Sequence, residues 1–132
     1  GTSKLIDICV ELCIPNLIYT SSYNVIYGGK PIINGTESLP YFPIDQHTDQ
    51  YGPTKAMAEQ LVLKANGRKL KNYNTFKTAV IRPAAIYGED EKRHMPRIVK
   101  HIDTGLFQFR IGSAVVDWVD VKNLVCTYFW HY

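Results

Sequence analysis

The sequence predicts an α/β fold built on a parallel sheet with helices on both faces. Helix-like and strand-like segments alternate along its 132 residues, which is the order that places parallel strands beside each other. The two clearest strand candidates, residues 17–22 and 76–83, are short and rich in apolar, β-prone residues, as in strands buried on both faces. Apolar residues make up 45% of the chain and charged residues 20%, which is typical of a globular protein.

The first part of the chain predicts a helix, a strand and a long loop. Residues 3–13 carry apolar side chains at so many positions that they predict a helix buried on more than one side, which Pro15-Asn16 ends. LIYTSS, at 17–22, predicts a buried strand. Residues 28–50 are rich in Gly, Pro and Asn and predict a loop, with Asn34-Gly35 as a candidate hairpin turn. Loops of this length are usually functional.

A second helix is predicted from about Gly52 to Ala65, with Pro53 in its first turn and Asn66-Gly67 at its end. The next buried strand, 76–83, stops at Pro83. The remaining predicted elements are a helix at 95–106, strands at 107–112 and 115–121, and a helix at 122–132. Ligands of parallel sheets lie beyond the carboxyl ends of the strands, which here carry Ser21, Ser22 and residues 84–87.

Composition excludes several classes of function. The net charge of +3 is spread along the chain and forms no basic stripe, so nucleic acid is not an expected partner. No apolar run reaches the ~20 residues of a membrane span, and the four histidines lack metal-ligand spacing. Cys9 and Cys13 share a face of the predicted first helix and Cys126 lies in an apolar run. These three residues are predicted to be small buried side chains in a reducing compartment.

The stretch QYGPTKAMAEQLV places Tyr51 four residues before Lys55 at the start of a predicted helix. Residues at this spacing are neighbours on a helix. A free phenol is a poor base at neutral pH, but a nearby ammonium favours the phenolate, which can then exchange a proton with an alcohol or a ketone. A hydroxyl such as that of Ser22 could hold the substrate oxygen. The alternative is a half-buried aromatic residue beside a solvated lysine.

A second match to the same spacing, Tyr73 to Lys77, is an internal control. It falls between a predicted helix end and a predicted strand, where two side chains four residues apart have no reason to meet. Spacing alone does not separate the two pairs, but position does. Tyr51 begins a helix and follows a strand that ends in serines.

Three motifs in this order, YTSS at 19–22, YGPTK at 51–55 and IRPAAIYG at 81–88, resemble the extended short-chain dehydrogenases/reductases. The similarity covers nearly the whole chain and is greatest to the 3β-hydroxysteroid dehydrogenase-like branch. The resemblance implies the second half of a Rossmann-type, doubly wound parallel sheet. Residues 1–132 would form a partial NAD(P)-binding domain, and about 95–132 would begin the substrate-binding region.

The resemblance also implies roles for single residues. Tyr51 would be the general acid/base, Lys55 would favour the phenolate and hold the nicotinamide ribose, and Ser22 would orient the substrate oxygen. Residues that would line the nicotinamide of NAD or NADP are Pro83, Ala84 and Ile86. The hydride chemistry would belong to the cofactor.

Parts of the family pattern are missing. The glycines give no GxGxxG or GxxGxxG after a strand, so the chain is expected to be the middle of a longer protein. Glu89-Asp90 stands where the family usually continues with Pro-Gly, and SSYNVIYGG is one residue longer than the usual form. Both departures leave the conformation of the neighbouring loops open.

Three functions remain as alternatives. The first is an NAD(P)-dependent oxidoreductase acting on a secondary alcohol or ketone, with a steroid or sterol as the expected substrate. The second is a nucleotide-sugar epimerase or dehydratase with the same Tyr–Lys chemistry, and the third is a truncated relative without turnover. The resemblance implies a small-molecule partner, and it allows a homodimer. The expected location is intracellular, either cytoplasmic or membrane-associated through segments outside this chain.

Overall fold

The computed structural model describes residues 1–106, 113 and 115–130. It divides into two compact units, Gly1–Pro83 and Ala84–Tyr132. Each unit pairs two parallel strands with helices. The predicted α/β class with parallel strands is therefore confirmed, and the paired strands fit a partial Rossmann-type sheet.

The first unit follows the predicted order of helix, strand, helix and strand. Its elements are α1 (Thr2–Glu11), β1 (Asn16–Thr20), α2 (Tyr51–Ala65) and β2 (Lys77–Ile81). β1 and β2 run parallel, with Asn16 opposite Lys77 and Thr20 opposite Ile81. This register brings the carboxyl ends of both strands to the same edge.

The core of the first unit lies between α1, α2 and the segment leading into β2. Ile6 and Cys9 face it from α1, because side chains three positions apart share a helix face. Val62 and Ala65 face it from α2, and Phe76 is fully buried against them. Burial of an aromatic side chain of this size is worth about 1.5–3 kcal/mol.

The first helix differs from its prediction. It was predicted to be buried on more than one side, which is wrong, because Leu5, Ile8 and Leu12 are 49%, 48% and 66% exposed. The helix ends at Glu11, and Cys13 has a φ of 57°, so Cys13 leaves the helix instead of sharing its face with Cys9. An apolar run shows what could be buried, whereas burial itself depends on what packs against it.

The three cysteines also differ from one another. Cys9 is buried as predicted and Cys13 is half-buried, but Cys126 is exposed. The prediction of a buried Cys126 is therefore wrong. An apolar run on a short helix does not show which side of the helix is covered.

The loop at 28–50 contains no hairpin, so that candidate is wrong. Asn34 takes the left-handed conformation, with a φ of 52°, and the Leu39 N–H donates to the Thr36 carbonyl across a turn. The loop has one short 3-10 helix at Ile44–Gln46, and a second one, Tyr23–Val25, precedes it. The Phe42 N–H donates to the Val25 carbonyl at 2.9 Å, so backbone bonds hold this part of the loop without a strand.

The second unit contains β3 (Ala85–Tyr87), α3 (Met95–Asp103), β4 (Trp118–Asp120) and α4 (Val121–Trp130). β3 and β4 are parallel, with Ala85 opposite Trp118. Sequence analysis missed β3, because Pro83 reads as the end of a strand and three residues are too few for a pattern. The predicted strand at 115–121 shortens to β4, and the one at 107–112 lies outside the described residues.

The strands are less buried than predicted. Every residue of β1 is half-buried, and β2 has one exposed and four half-buried residues. A strand in a two-stranded sheet has a neighbour on one side only, so its backbone and side chains cannot be enclosed as in a wide sheet. Among the described residues, no helix is both long and apolar enough to cross a membrane.

Candidate active site

Tyr51 is the first residue of α2, and Asp49 fixes that start. One carboxylate oxygen of Asp49 accepts from the Tyr51 N–H at 2.8 Å and from the Gly52 N–H at 3.1 Å. These are two of the donors that a helix start leaves without helical partners. The Tyr51 side chain is 49% exposed, so its phenol is open to a ligand.

Gly52 is required by its surroundings. A Cβ at this position would collide with the imidazole ring of His47, which therefore packs directly on the first turn of α2. His47 in turn meets the ring of Phe42 edge-on, with 4.9 Å between the centroids. The helix start and the end of the long loop are thus packed together.

Lys55 lies one turn further along α2, as the spacing predicted. Its Nζ donates to the Thr20 carbonyl at 2.9 Å. It lies 5.1 Å from the centroid of the Tyr19 ring and 5.9 Å from that of Tyr51, within the range of cation–π attraction. The structure therefore brings Tyr51 and Lys55 together at the carboxyl end of β1.

Ser22 follows β1 and is 6% exposed. Its Oγ accepts from the Asn24 N–H at 3.2 Å, which caps the short 3-10 helix. That bond uses a lone pair of the oxygen, so the hydroxyl proton can be donated to another acceptor. The Tyr23 N–H donates to the Pro83 carbonyl at 3.4 Å, which places Ser22 and Pro83 at the same edge.

The control pair behaves differently. Tyr73 is 92% exposed in a turn and has a φ of 65°, whereas Lys77 is the first residue of β2. The two side chains do not share a helix face. Helical context therefore distinguishes the pairs as the sequence predicted.

The residues predicted to line a nicotinamide fall in both units. Pro83 ends the first unit, and Ala84 begins the second. Ile86 lies in the middle of β3, opposite Val119, and all three predicted residues are half-buried. Contact of these residues with a cofactor stays a prediction.

Sequence analysis missed a buried polar cluster of Glu59, Arg82 and Tyr41. Glu59 is 1% exposed, and its Oε1 accepts from Arg82 Nε and Nη2 at 3.0 and 2.7 Å and from the Tyr41 hydroxyl at 2.9 Å. Burial alone would raise the pKa of Glu59, but its hydrogen bonds, of which those from Arg82 have the largest effect, lower it overall. The available signal was spacing, because Tyr51, Lys55 and Glu59 are four residues apart.

A cavity of about 340 Å³ lies beside the start of α2. Its walls are Asn24, Tyr27, Gly28, Gly29, Phe42, Gln46, His47, Thr48, Asp49 and Gly52. Most of these residues belong to the long loop, so the loop forms one wall and the helix start another. The described residues contain no cluster of His, Cys, Asp or Glu that could hold a metal ion.

Comparison with known proteins agrees with the motifs. The model of the 3-beta hydroxysteroid dehydrogenase/isomerase family matches residues 1–129. Relatives named short-chain dehydrogenase/reductase family 42E member 1, from Danio rerio and Homo sapiens, are each 48% identical over 128 residues. An Arabidopsis thaliana relative named 3beta-hydroxysteroid-dehydrogenase/decarboxylase isoform 1 is 41% identical over 128 residues.

These alignments include 95% of the chain, which spans 33% of the two vertebrate relatives and 28% of the plant one. No solved structure matches the chain significantly. The family model nevertheless extends over almost every residue, including all three motifs. The chain therefore belongs to the 3-beta hydroxysteroid dehydrogenase/isomerase family.

Proposed function

We propose that the complete polypeptide carrying these residues is an NAD(P)-dependent oxidoreductase that interconverts a secondary alcohol and a ketone. The observation that supports this most is the position of Lys55. Its ammonium lies 5.9 Å from the Tyr51 ring centroid and is bonded to Thr20, two residues before Ser22 at the end of β1. A phenol, an ammonium and a hydroxyl thus gather at one sheet edge.

The proposed chemistry divides between these residues. In the oxidation direction, the Tyr51 phenolate takes the alcohol proton, and in the reduction direction the phenol returns a proton to the ketone oxygen. The Lys55 ammonium stabilises the phenolate by its charge. Ser22 donates a hydrogen bond to the substrate oxygen and so orients the reacting carbon. Bound NAD or NADP supplies the hydride acceptor or donor.

The residues of the first unit suit the nicotinamide end of such a cofactor. Tyr51 is accessible, and Lys55 carries two N–H donors besides the one given to Thr20, which can reach ribose hydroxyls. Pro83, Ala84 and Ile86 are proposed to line the nicotinamide. Whether NAD or NADP is used depends on residues that contact the rest of the cofactor.

A steroid or sterol is the proposed substrate. The names of the plant relative and of the family support this class, and the Tyr–Lys arrangement suits any secondary alcohol. Residues from about 95 onward are proposed to begin the substrate-binding region. The proposed cellular location is intracellular, and a homodimer is the proposed assembly to test.

The experiment is steady-state turnover with the complete polypeptide. A panel of 3-hydroxy- and 3-keto-steroids would be assayed with NAD(H) and NADP(H), beside a panel of nucleotide sugars. Steroid turnover that Tyr51→Phe abolishes would support the proposal. Turnover of nucleotide sugars alone would replace it with an epimerase or dehydratase, and absence of turnover on every panel would reject it.

A further inference from the structure

Glu59 continues the line of residues that begins with Tyr51 and Lys55 on α2. The three are four positions apart, so they lie along one face of the helix. Unlike the other two, Glu59 is almost fully enclosed, with 1% of its surface exposed. A buried carboxylate is costly unless donors surround it, so the surrounding fold must supply those donors.

Two segments supply donors to one of its oxygens, Oε1. Arg82, directly after β2, gives two N–H bonds of 3.0 and 2.7 Å to one carboxylate oxygen. Tyr41, in the loop at 28–50, gives its hydroxyl to the same oxygen at 2.9 Å. The Arg82 guanidinium carbon also lies 5.1 Å from the centroid of the Tyr41 ring. One carboxylate therefore joins the helix, the strand end and the loop.

The contact between Glu59 and Arg82, the arginine branch of the cluster, extends to Ser22. Parallel pairing continues beyond β1, because the Ser21 N–H donates to the Ile81 carbonyl at 2.7 Å and the Tyr23 N–H to the Pro83 carbonyl at 3.4 Å. Arg82 lies between these two acceptors, and Ser22 lies between the two donors. Fixing Arg82 therefore fixes the backbone that carries the Ser22 hydroxyl.

The contact between Glu59 and Tyr41, the tyrosine branch of the cluster, extends to the cavity wall. The residue after Tyr41 is Phe42, which donates its N–H to the Val25 carbonyl at 2.9 Å and packs edge-on against His47. Phe42 and His47 both line the cavity of about 340 Å³. Fixing Tyr41 therefore fixes the side of the cavity that the loop provides.

We propose that Glu59 is a positioning residue with two separate effects. Through Arg82 it holds Ser22 in place, and through Tyr41 it holds the cavity wall in place. This rests on the proposed function, in which Ser22 orients the reacting oxygen, and it adds that the cavity contributes to substrate binding. The arginine branch then governs turnover, and the tyrosine branch governs substrate affinity and selectivity.

The first test measures kcat and KM separately for variants of the complete polypeptide. Tyr41→Phe removes one hydroxyl and should raise KM about tenfold with kcat within about twofold, because it affects binding only. Arg82→Met should lower kcat about tenfold or more, because the reacting oxygen is no longer oriented. Glu59→Gln should do both, and Tyr73→Phe, at an exposed turn, is the matched control. Equal changes in kcat and KM for the Tyr41 and Arg82 variants would overturn the proposal.

The second test is hydrogen exchange, which needs no turnover. Tyr41→Phe should speed exchange of the Phe42 amide about tenfold and leave the Tyr23 amide unchanged, whereas Arg82→Met should do the reverse. The Phe76 amide, bonded to the Arg68 carbonyl at 2.8 Å, is the internal reference. Uniformly faster exchange at all three amides would show that the cluster contributes only to overall stability, and this would overturn the proposal. If the wild type lacks turnover, the proposed function fails, and this pattern alone decides whether Glu59 holds both segments.

A double variant keeps the proposal testable if the single variants of Glu59 and Arg82 fail to fold. Glu59→Leu with Arg82→Met replaces the buried pair by apolar side chains, a change that proteins often tolerate. The double variant should melt cooperatively while kcat stays about tenfold low. Recovery of kcat to within about twofold of the wild type in this variant would show that only the stability of the pair matters.

Discussion

The side-chain nitrogen of Lys55 lies 2.9 Å from the backbone carbonyl oxygen of Thr20, so a single charged side chain ties α2 to the end of β1. The aromatic rings of Tyr19 and Tyr51 lie 5.1 and 5.9 Å from the same nitrogen. The ammonium is therefore held in one place, within reach of the residue on which it is proposed to act.

Tyr51→Phe in the complete polypeptide should remove nearly all turnover and leave cofactor affinity within a few-fold. Only the phenol hydroxyl is lost, and the ring keeps its contact with Lys55. The measurement is steady-state kinetics together with calorimetric titration of NADH and NADPH. Tyr73→Phe, at the exposed second match, is the control and should leave activity unchanged. Retention of more than about a tenth of the activity, under ~1.4 kcal/mol of barrier, would contradict the acid/base role.

Lys55→Met should impair both turnover and cofactor binding, because one ammonium is proposed to serve the phenol and the ribose. Steady-state kinetics of the two proteins and calorimetric titration with NADH and NADPH provide the measurement. Lys77→Met is the matched control, because Lys77 begins β2 and has no helical tyrosine partner. Unchanged turnover and cofactor affinity in Lys55→Met would contradict both proposed roles of the ammonium.

Glu91 should titrate below its ordinary pKa because it caps α3. Its two carboxylate oxygens accept from the backbone N–H groups of Arg93, His94 and Met95 at 2.6, 2.7 and 2.7 Å. Desolvation acts to raise the pKa of Glu91, but these bonds lower it from 4.5. A depressed folded pKa means that the stabilisation is present above pH 4.5 and is lost as the pH falls through the folded value.

Nuclear magnetic resonance of the amide protons at 93–95 provides the measurement for Glu91. Their shifts should move with a midpoint below 4.5, and Glu91→Gln should abolish that movement. Glu89→Gln, two residues away, should leave it in place. A midpoint at or above 4.5 would show that the cap does not form in solution.

Local signals explain how well α2 could be predicted from the sequence. Its predicted span from about Gly52 to Ala65 compares with Tyr51–Ala65 in the structure, because Pro53 and Asn66-Gly67 mark the ends. The Tyr51–Lys55 contact followed from their spacing together with their place at the start of a helix. Such features depend only on residues a few positions apart.

Features that depend on distant residues could not be predicted. Burial of Glu59 requires Tyr41 and Arg82, which lie 18 and 23 positions away. The exposure of Leu5 and Ile8 likewise depends on what packs on α1. The Asn34-Gly35 pattern suits a hairpin, yet the flanking segments pair with nothing as strands in the described chain. Sequence periodicity carries none of this information.

The last prediction concerns the 132-residue chain expressed alone, which should neither melt as a stable monomer nor bind a nicotinamide cofactor measurably. In the part of the chain that the structure describes, each sheet has two strands, and an isolated pair of strands is marginally stable in water. The apolar face of α1 adds to this, with Leu5, Ile8 and Leu12 about half exposed or more. Apolar surface that stays exposed loses roughly 25 cal/mol of stabilisation per Å². A folded domain has a net stability of only ~5–15 kcal/mol, which such losses can exhaust.

Cofactor affinity should be low for a separate reason. The pyrophosphate of a dinucleotide normally rests on a glycine-rich turn at a helix N-terminus, and the nine glycines of this sequence form no such motif. What the chain offers is proposed to reach the nicotinamide end only. Differential scanning calorimetry, sedimentation velocity and titration with NADH and NADPH test both parts. A monomer with one sharp melt and micromolar binding would contradict both arguments, since the exposed face of α1 and the two-stranded sheets would then suffice for a complete domain.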